Sequence, residues 1–386
     1  MNTIKNYLRL LMLIVLSAYI GTDIGFLTAH KLPIADDYFY SNQFPIKGDK
    51  VDNITIVTID NEMMYKNGRL HYKRSIFAKV FAKILEGGPK AIGVDIFFDG
   101  IRDIKDDLRF INMLNDANGN IVLGIYKNEP ENFLLNIDNI TSEGYFNGNK
   151  MIALGNVQGI VDNSTYGGIT KLLLTPQFDR ELTMYYTLPI VVLSKYFNAI
   201  YESYPFADDD DIASIGNVSI PTFTENCHKR YMYINYVGGL EAFNPVPFEK
   251  VPDMNPAVFK DKIVLIGVTA DTMEDSHRTP LSGNTPGVVV HANIIHTIIN
   301  KRFISPLRQK YQSLGVFFVA IVVFISFYYT RMKISIPAAL LTLVIVKLTI
   351  DLLFTRYGVY VQFFPFIVST VFAGMCAMIF RKDSRT

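Results

Sequence analysis

The stretch Ile54–Ile59, ITIVTI, followed by Arg74–Glu86, RSIFAKVFAKILE, and then by residues 91–98, AIGVDIFF, decides the fold. Six successive apolar and β-branched residues read as a strand buried on both faces, since a strand with one wet face alternates apolar with polar. In the second stretch Ile76, Phe77, Val80, Phe81, Ile84 and Leu85 recur at intervals of three and four, which lays them along one side of a helix. Gly87, Gly88 and Pro89 end that helix, and the third stretch is again a buried strand. The alternation continues with a helix predicted over residues 103–117, closed by Gly119, and a strand over residues 120–126, NIVLGIY. Strand and helix alternating in this way call for parallel strands joined by right-handed crossovers.

Beyond residue 126 the pattern loosens as far as residue 168. Pro189 then suits the first turn of a helix running to about Ile200, with Ile190, Val191, Leu193, Phe197 and Ile200 as its apolar side. Residues 262–269, KIVLIGVT, predict a returning buried strand, and residues 287–290 another. A helix over residues 291–301 carries Ile294, Ile295, Ile298 and Ile299 inward, and Pro306 ends the region. No internal repeat or low-complexity linker interrupts it. The fold class expected is an α/β domain with a largely parallel or mixed sheet and an irregular middle, over residues 29–310.

Membrane segments flank this domain. Apolar stretches run over residues 7–27, 313–330, 334–354 and 358–380, and the third spans about 31 Å at the rise of a helix, enough to cross a bilayer. Asp23 interrupts the first, and the residues after its apolar run, Ser17 to Gly21, make a poor cleavage site, so an uncleaved anchor is expected. The division is an anchor at 1–28, the domain at 29–310, a three-helix region at 311–381 and a short cytoplasmic tail at 382–386. Lys5 and Arg9, Arg331 and Lys333, and Arg381, Lys382 and Arg385 fall on one side only if four segments cross, which puts both ends in the cytoplasm and the domain outside the inner membrane. Arg356 falls on the opposite side. Within the bilayer, Lys347 is expected to pair with Asp351 one turn on and also to reach Asp23.

Charge and cysteine exclude several classes. The chain has a formal net charge of +1 with acids and bases interspersed, whereas phosphate backbones require a concentrated positive face, so no nucleic-acid partner is expected. Cys227 and Cys376 lie in different regions and form no disulfide framework. The acidic run at 208–211 reads as a solvated loop, with calcium the lesser alternative because the spacing fits no EF-hand loop. HExxH, GxSxG, P-loop and Cys/His metal spacings are absent, so no catalytic residue, metal ligand or cofactor is assigned.

Parallel α/β sheets bind ligands where the strands end and helices begin. Asp60 ends the first strand, Asp95 lies in the second with Asp99 just beyond it, Asp275 and His277 follow the returning strand, and His291 stands near the start of a helix. These six are the candidate ligand-binding residues. A second reading stands beside this one: Asp60 and Asp99 cap turns, Asp95 is a buried structural carboxylate held by backbone donors, and His291 packs.

Several phrases resemble the type-two CHASE domain, an extracytoplasmic sensory module found with cyclases and histidine kinases. They are IVTIDNEMM (56–64), HYKRSIFAKVFAKILEGGPKAIGVDIFFDG (71–100), GNVQGIVD (155–162), YGGITKLLL (166–174), INYVGGLEAF (234–243), DKIVLIGVTADTMEDSHRTPL (261–281) and PGVVVHANIIHTIIN (286–300), the last two being the most specific. HYKR stands where the family often has a tryptophan-proline pair before an arginine, and Lys171 where arginine is common. The usual output domain does not appear in these 386 residues. The resemblance implies a non-enzymatic, receptor-like membrane protein that binds an unidentified small-molecule or peptide signal and hands it to a separate signalling partner. The alternative is a non-catalytic structural subunit of a cell-envelope complex.

Overall fold

A computed structural model describes residues 2–31, 44, 50–63, 73–98, 103–117, 119–125, 153–156, 169, 171–174, 177–178, 184–202, 212–225, 229–270 and 275–383. The chain divides into two units. Helix α1, Asn2–Lys31, belongs with the C-terminal helices, and the α/β unit follows it.

That unit is built on six strands: β1 (Ile54–Ile59), β2 (Ala91–Asp95), β3 (Ile121–Ile125), β4 (Ala153–Asn156), β5 (Val246–Pro247) and β6 (Ile263–Val268). All pair in parallel, in the order β5-β1-β6-β2-β3-β4. The returning strand β6 therefore inserts between β1 and β2, pairing Ile59 with Val268 on one side and Asp95 with Gly267 on the other. Four helices cover the two faces: α2 (Arg74–Glu86), α3 (Ile104–Asp116), α4 (Leu188–Phe197) and α5 (Gly287–Ile299).

Side chains alternate across a strand, and the alternation sorts the layers. Val57 and Ile59, Ile92 and Val94, Ile121 and Leu123, and Val264 and Ile266 share one core with Phe77, Val80, Phe81 and Ile84 of α2 and Phe110, Ile111 and Leu114 of α3. The opposite face meets α4 over β2, β3 and β4, and α5 over β1 and β6. Two glycines let these helices come close. A Cβ on Gly93 would stand 2.8 Å from Val192 Cγ2, and one on Gly267 would stand 2.6 Å from Val288 Cβ, so neither position has room for a side chain. On the first face the starts of α2 and α3 are tied by a buried ion pair, Arg74 with Asp107, both 3% exposed or less. Asp103 caps α3 by accepting from the Asp106 N–H at 3.0 Å, which satisfies one of the helix's unpaired amides.

Two expectations are corrected. Residues 287–290, read as a strand, are the first turn of α5. The β-branched run GVVV favours strand locally, but every residue from Gly287 to Ile298 is buried, and packing on all sides overrides so weak a preference. The helix after Pro189 ends at Phe197, where Asn198 adopts a left-handed cap with φ 49°, and Ile200 is 82% exposed rather than inward. The irregular middle contains small antiparallel sheets. Ile212–Ile215 pairs with Val218–Pro221 and Tyr201–Glu202, and Lys229–Tyr233 pairs with Phe223–Glu225 and Lys171–Leu173.

The second unit contains α1 with α6 (Gln309–Tyr329), α7 (Met332–Tyr357) and α8 (Phe364–Asp383). Among the described residues these four helices are long and apolar enough to cross a membrane. Helices α1, α6 and α8 pack together around Ile14, Ala18, Ala320, Val323, Phe324, Phe327, Ala373 and Ala377. Gly25 permits the approach of α1 to α8, since a Cβ there would lie 2.9 Å from the Pro365 carbonyl oxygen. Arg381 donates to the Thr330 carbonyl and, at 3.4 Å, to that of Phe327, and Leu10 packs on the same cluster. Arg9, Arg331, Lys333 and Arg381 thus gather at one end of the bundle. Lys347 bonds Asp351 on α7, while Asp23 is exposed on α1.

Candidate functional site

Asp95 is the last residue of β2, and the alternation that sends Ile92 and Val94 into the α2/α3 core turns it toward α5. His291 lies on α5 one turn after Val288, the residue that rests on Gly267, and Gly267 is the strand partner of Asp95. The two side chains meet in consequence, with His291 Nε2 3.6 Å from Asp95 Oδ2 and exposures of 2% and 9%.

Asp275 and His277 arrive from the segment joining β6 to α5. Ser276–His277 pairs antiparallel with Thr285–Pro286, immediately before the first turn of α5. The hairpin is closed by hydroxyls: Thr279 Oγ1 lies 2.7 Å from Thr285 Oγ1, and Ser282 Oγ 3.1 Å from the same atom. Gly287 donates its N–H to the Asp275 carbonyl at 3.2 Å. A Cβ on Gly287 would fall 2.8 and 2.9 Å from the two Asp275 carboxylate oxygens, so that carboxylate lies against the N-terminal turn of α5, where the helix dipole favours negative charge. His277 Nε2 stands 3.3 Å from Asp275 Oδ1.

Two of the four groups, Asp275 and His277, are shifted by their surroundings. Burial, the largest influence, pushes the Asp275 pKa above its ordinary 3.8; the His277 hydrogen bond opposes the rise and the negative charge of Asp95 adds to it. The hydrogen bond to Asp275 lifts His277 above its ordinary 6.5, against the effect of burial, and the charges of Asp275 and Asp95 lift it further. Each shift follows from the general causes of burial, neighbouring charge and hydrogen bonding. Two buried atoms of the cluster, Asp95 Oδ2 and His291 Nδ1, lack a hydrogen-bond partner among the described residues.

Of the six residues singled out in the sequence, the structure brings together Asp95, Asp275, His277 and His291. Asp60 serves locally, its Oδ1 accepting from the Met63 N–H at 2.9 Å to cap the turn after β1. Asp99 and the acidic run at 208–211 lie outside the described residues. Sequence reasoning missed the residues that hold α5 in place. Buried Asn293 accepts from the Val237 N–H at 2.8 Å and donates to the Gly238 carbonyl at 3.0 Å, and Thr297 Oγ1 accepts from the Asn235 N–H at 3.0 Å. Their signal was present as polar residues one turn apart on an otherwise apolar helix, HANIIHTII, which calls for backbone partners.

The comparisons with known proteins agree with the resemblance. The family model described as the CHASE2 domain matches residues 10–327. No curated protein and no solved structure matches the chain. The match covers most of the 386 residues, and the chain belongs to the CHASE2 family of sensory domains.

Proposed function

We propose that this chain is a multi-pass receptor of the inner membrane whose CHASE2 domain lies outside, binds a small-molecule or peptide signal, and passes the event to a separate signalling protein. The observation that carries the reading is the convergence of Asp95, Asp275, His277 and His291 at the carboxyl edge of a parallel sheet. There one carboxylate oxygen and one imidazole nitrogen are buried without a hydrogen-bond partner among the described residues. Unsatisfied buried polar atoms are costly in a merely structural role, and strand ends are where α/β sheets take ligands. Lys and Arg gathered at one end of the helical bundle support an orientation with that end in the cytoplasm. The reading is non-enzymatic, in keeping with a family of sensory domains.

Affinity purification of the full chain from native membranes in mild detergent tests it. The expected companion carries a cytoplasmic output domain such as a kinase or cyclase. A set of envelope structural subunits without one overturns the receptor reading in favour of a scaffold. A cytoplasm-active reporter fused after Thr386 should be active and one inserted at 208–211 silent; the reverse pattern places the domain inside the cell and refutes the orientation.

A further inference from the structure

We infer that the Asp95–Asp275–His277–His291 cluster receives a primary ammonium group, so that the signal is a small protonated amine. The inference rests on the reading of this cluster as the signal site and names the chemistry it takes. The four side chains form a gradient of access. His277 and Asp275 are 37% and 35% exposed and stand at the mouth, while Asp95 and His291, at 9% and 2%, form the base.

What the base lacks is donors. A carboxylate only accepts hydrogen bonds, and buried Asp95 Oδ2 accepts none from the described residues, His291 Nε2 standing at 3.6 Å, beyond hydrogen-bond distance. His291 turns Nε2 toward that carboxylate at 3.6 Å, so the proton of the neutral ring belongs on Nε2. Nδ1, buried and without a hydrogen-bond partner among the described residues, is then a second acceptor in need of a donor. An ammonium brings three donors and a positive charge to a site with two carboxylates.

Other ligand classes fit less well. A free anion would meet two carboxylates, and the anion-favouring N-terminal turn of α5 already holds the Asp275 carboxylate, which lies against Gly287. Among the described residues no group of three or more His, Cys, Asp or Glu side chains is arranged to hold a metal ion, and His277 Nε2 is already committed to Asp275.

The test uses the full chain in detergent at pH 8, followed by thermal unfolding with methylammonium, tetramethylammonium or sodium chloride at equal ionic strength. Methylammonium at tenfold its Kd should raise Tm by about 3–6 °C. Tetramethylammonium, a cation with no N–H, and sodium should not, and the shift should vanish in Asp95→Asn. If that variant fails to fold, Asp275→Asn at the half-exposed mouth carries the same expectation. Equal shifts with tetramethylammonium, no shift at all, or a shift that survives both substitutions overturns the inference. Formate, phosphate and acetamide form the second arm. A shift from one of them that depends on Asp95 or Asp275 rejects the amine and keeps the site, whereas the absence of any probe whose shift depends on these residues rejects both.

Discussion

Gly267→Ala should loosen the site without touching a single one of its polar atoms. The added Cβ would stand 2.6 Å from Val288 Cβ, with the two Val288 methyls at 2.9 and 3.1 Å, whereas ordinary contact begins at 3.4 Å. Val288 Cβ is fixed to the backbone of α5, so no rotamer change relieves the clash. The helix must lift by about 0.8 Å, the gap between those two distances, or the sheet must yield as much. Since His291 is one turn beyond Val288, a lift of that size takes its 3.6 Å approach to Asp95 out toward about 4.4 Å. Overfilling a well-packed core in this way costs about 1–3 kcal/mol, which corresponds to a fall in Tm of about 2–12 °C for a domain of this size. The chain has no tryptophan, so near-ultraviolet circular dichroism of its tyrosines is a suitable signal for thermal unfolding of the full chain in detergent. Gly283→Ala is the control, because a Cβ there meets nothing within 4 Å and should change stability by less than about 0.5 kcal/mol. If Gly267→Ala proves as stable as Gly283→Ala, α5 is not held against the sheet at the distance described, and the meeting of His291 with Asp95 loses its structural cause.

Further outcomes follow from the same geometry. Arg74→Met strands the buried Asp107 carboxylate without its guanidinium and should cost about 3–5 kcal/mol, most of it recovered in Arg74→Met with Asp107→Leu, as thermal unfolding will read; a cost unchanged in the double variant contradicts the pairing. The His277 pKa is raised in the fold, so its contribution to stability is fully present below the ordinary 6.5 and is lost as pH rises through the folded value. Asp275, also raised, acts in the same direction from its ordinary 3.8 upward. The Tm advantage of the natural chain over His277→Gln should therefore shrink between pH 6 and pH 9, and an advantage that grows with pH would reverse the assigned sign. Gly287→Ala, whose Cβ would press on a movable carboxylate rather than on backbone, should cost little stability but displace Asp275 and return the His277 titration, followed by NMR, toward 6.5; an unmoved titration denies that contact.

Much of the fold could be read in the chain because its parallel strands are buried on both faces and are therefore written as unbroken apolar runs. Ile54–Ile59 and Arg74–Glu86 stand where the pattern puts them, and the strand expected over residues 91–98 begins as expected but ends at Asp95. Strand order was hidden, because an apolar run marks a strand as central without naming its neighbours. That β6 lies between β1 and β2 depends on tertiary packing, on glycines that admit α4 and α5, and on Asn293 and Thr297 holding the backbone of residues 235–238. The site shared that fate. An aspartate inside AIGVDIFF and a histidine inside VVVHANII announce themselves as polar groups in apolar surroundings, but their meeting follows from the inserted strand. Asp60 carries the same signal by composition and serves as a turn cap, a role that sequence position alone does not separate from ligand binding. Residues 287–290 misled because a β-branched run looks alike in a buried strand and in a helix buried on every side.

Native mass spectrometry of the full chain, released gently from the membranes in which it was made, tests most directly whether the carboxyl-edge cluster is a receptor site. The natural chain should carry a small bound molecule, with a mass that assigns its chemistry, and that mass should be absent from both Asp95→Asn and Asp275→Asn while their folded charge-state distribution is kept. A natural chain that is bare across growth conditions, or a bound molecule retained by both variants, would contradict the account and leave the four residues a structural cluster.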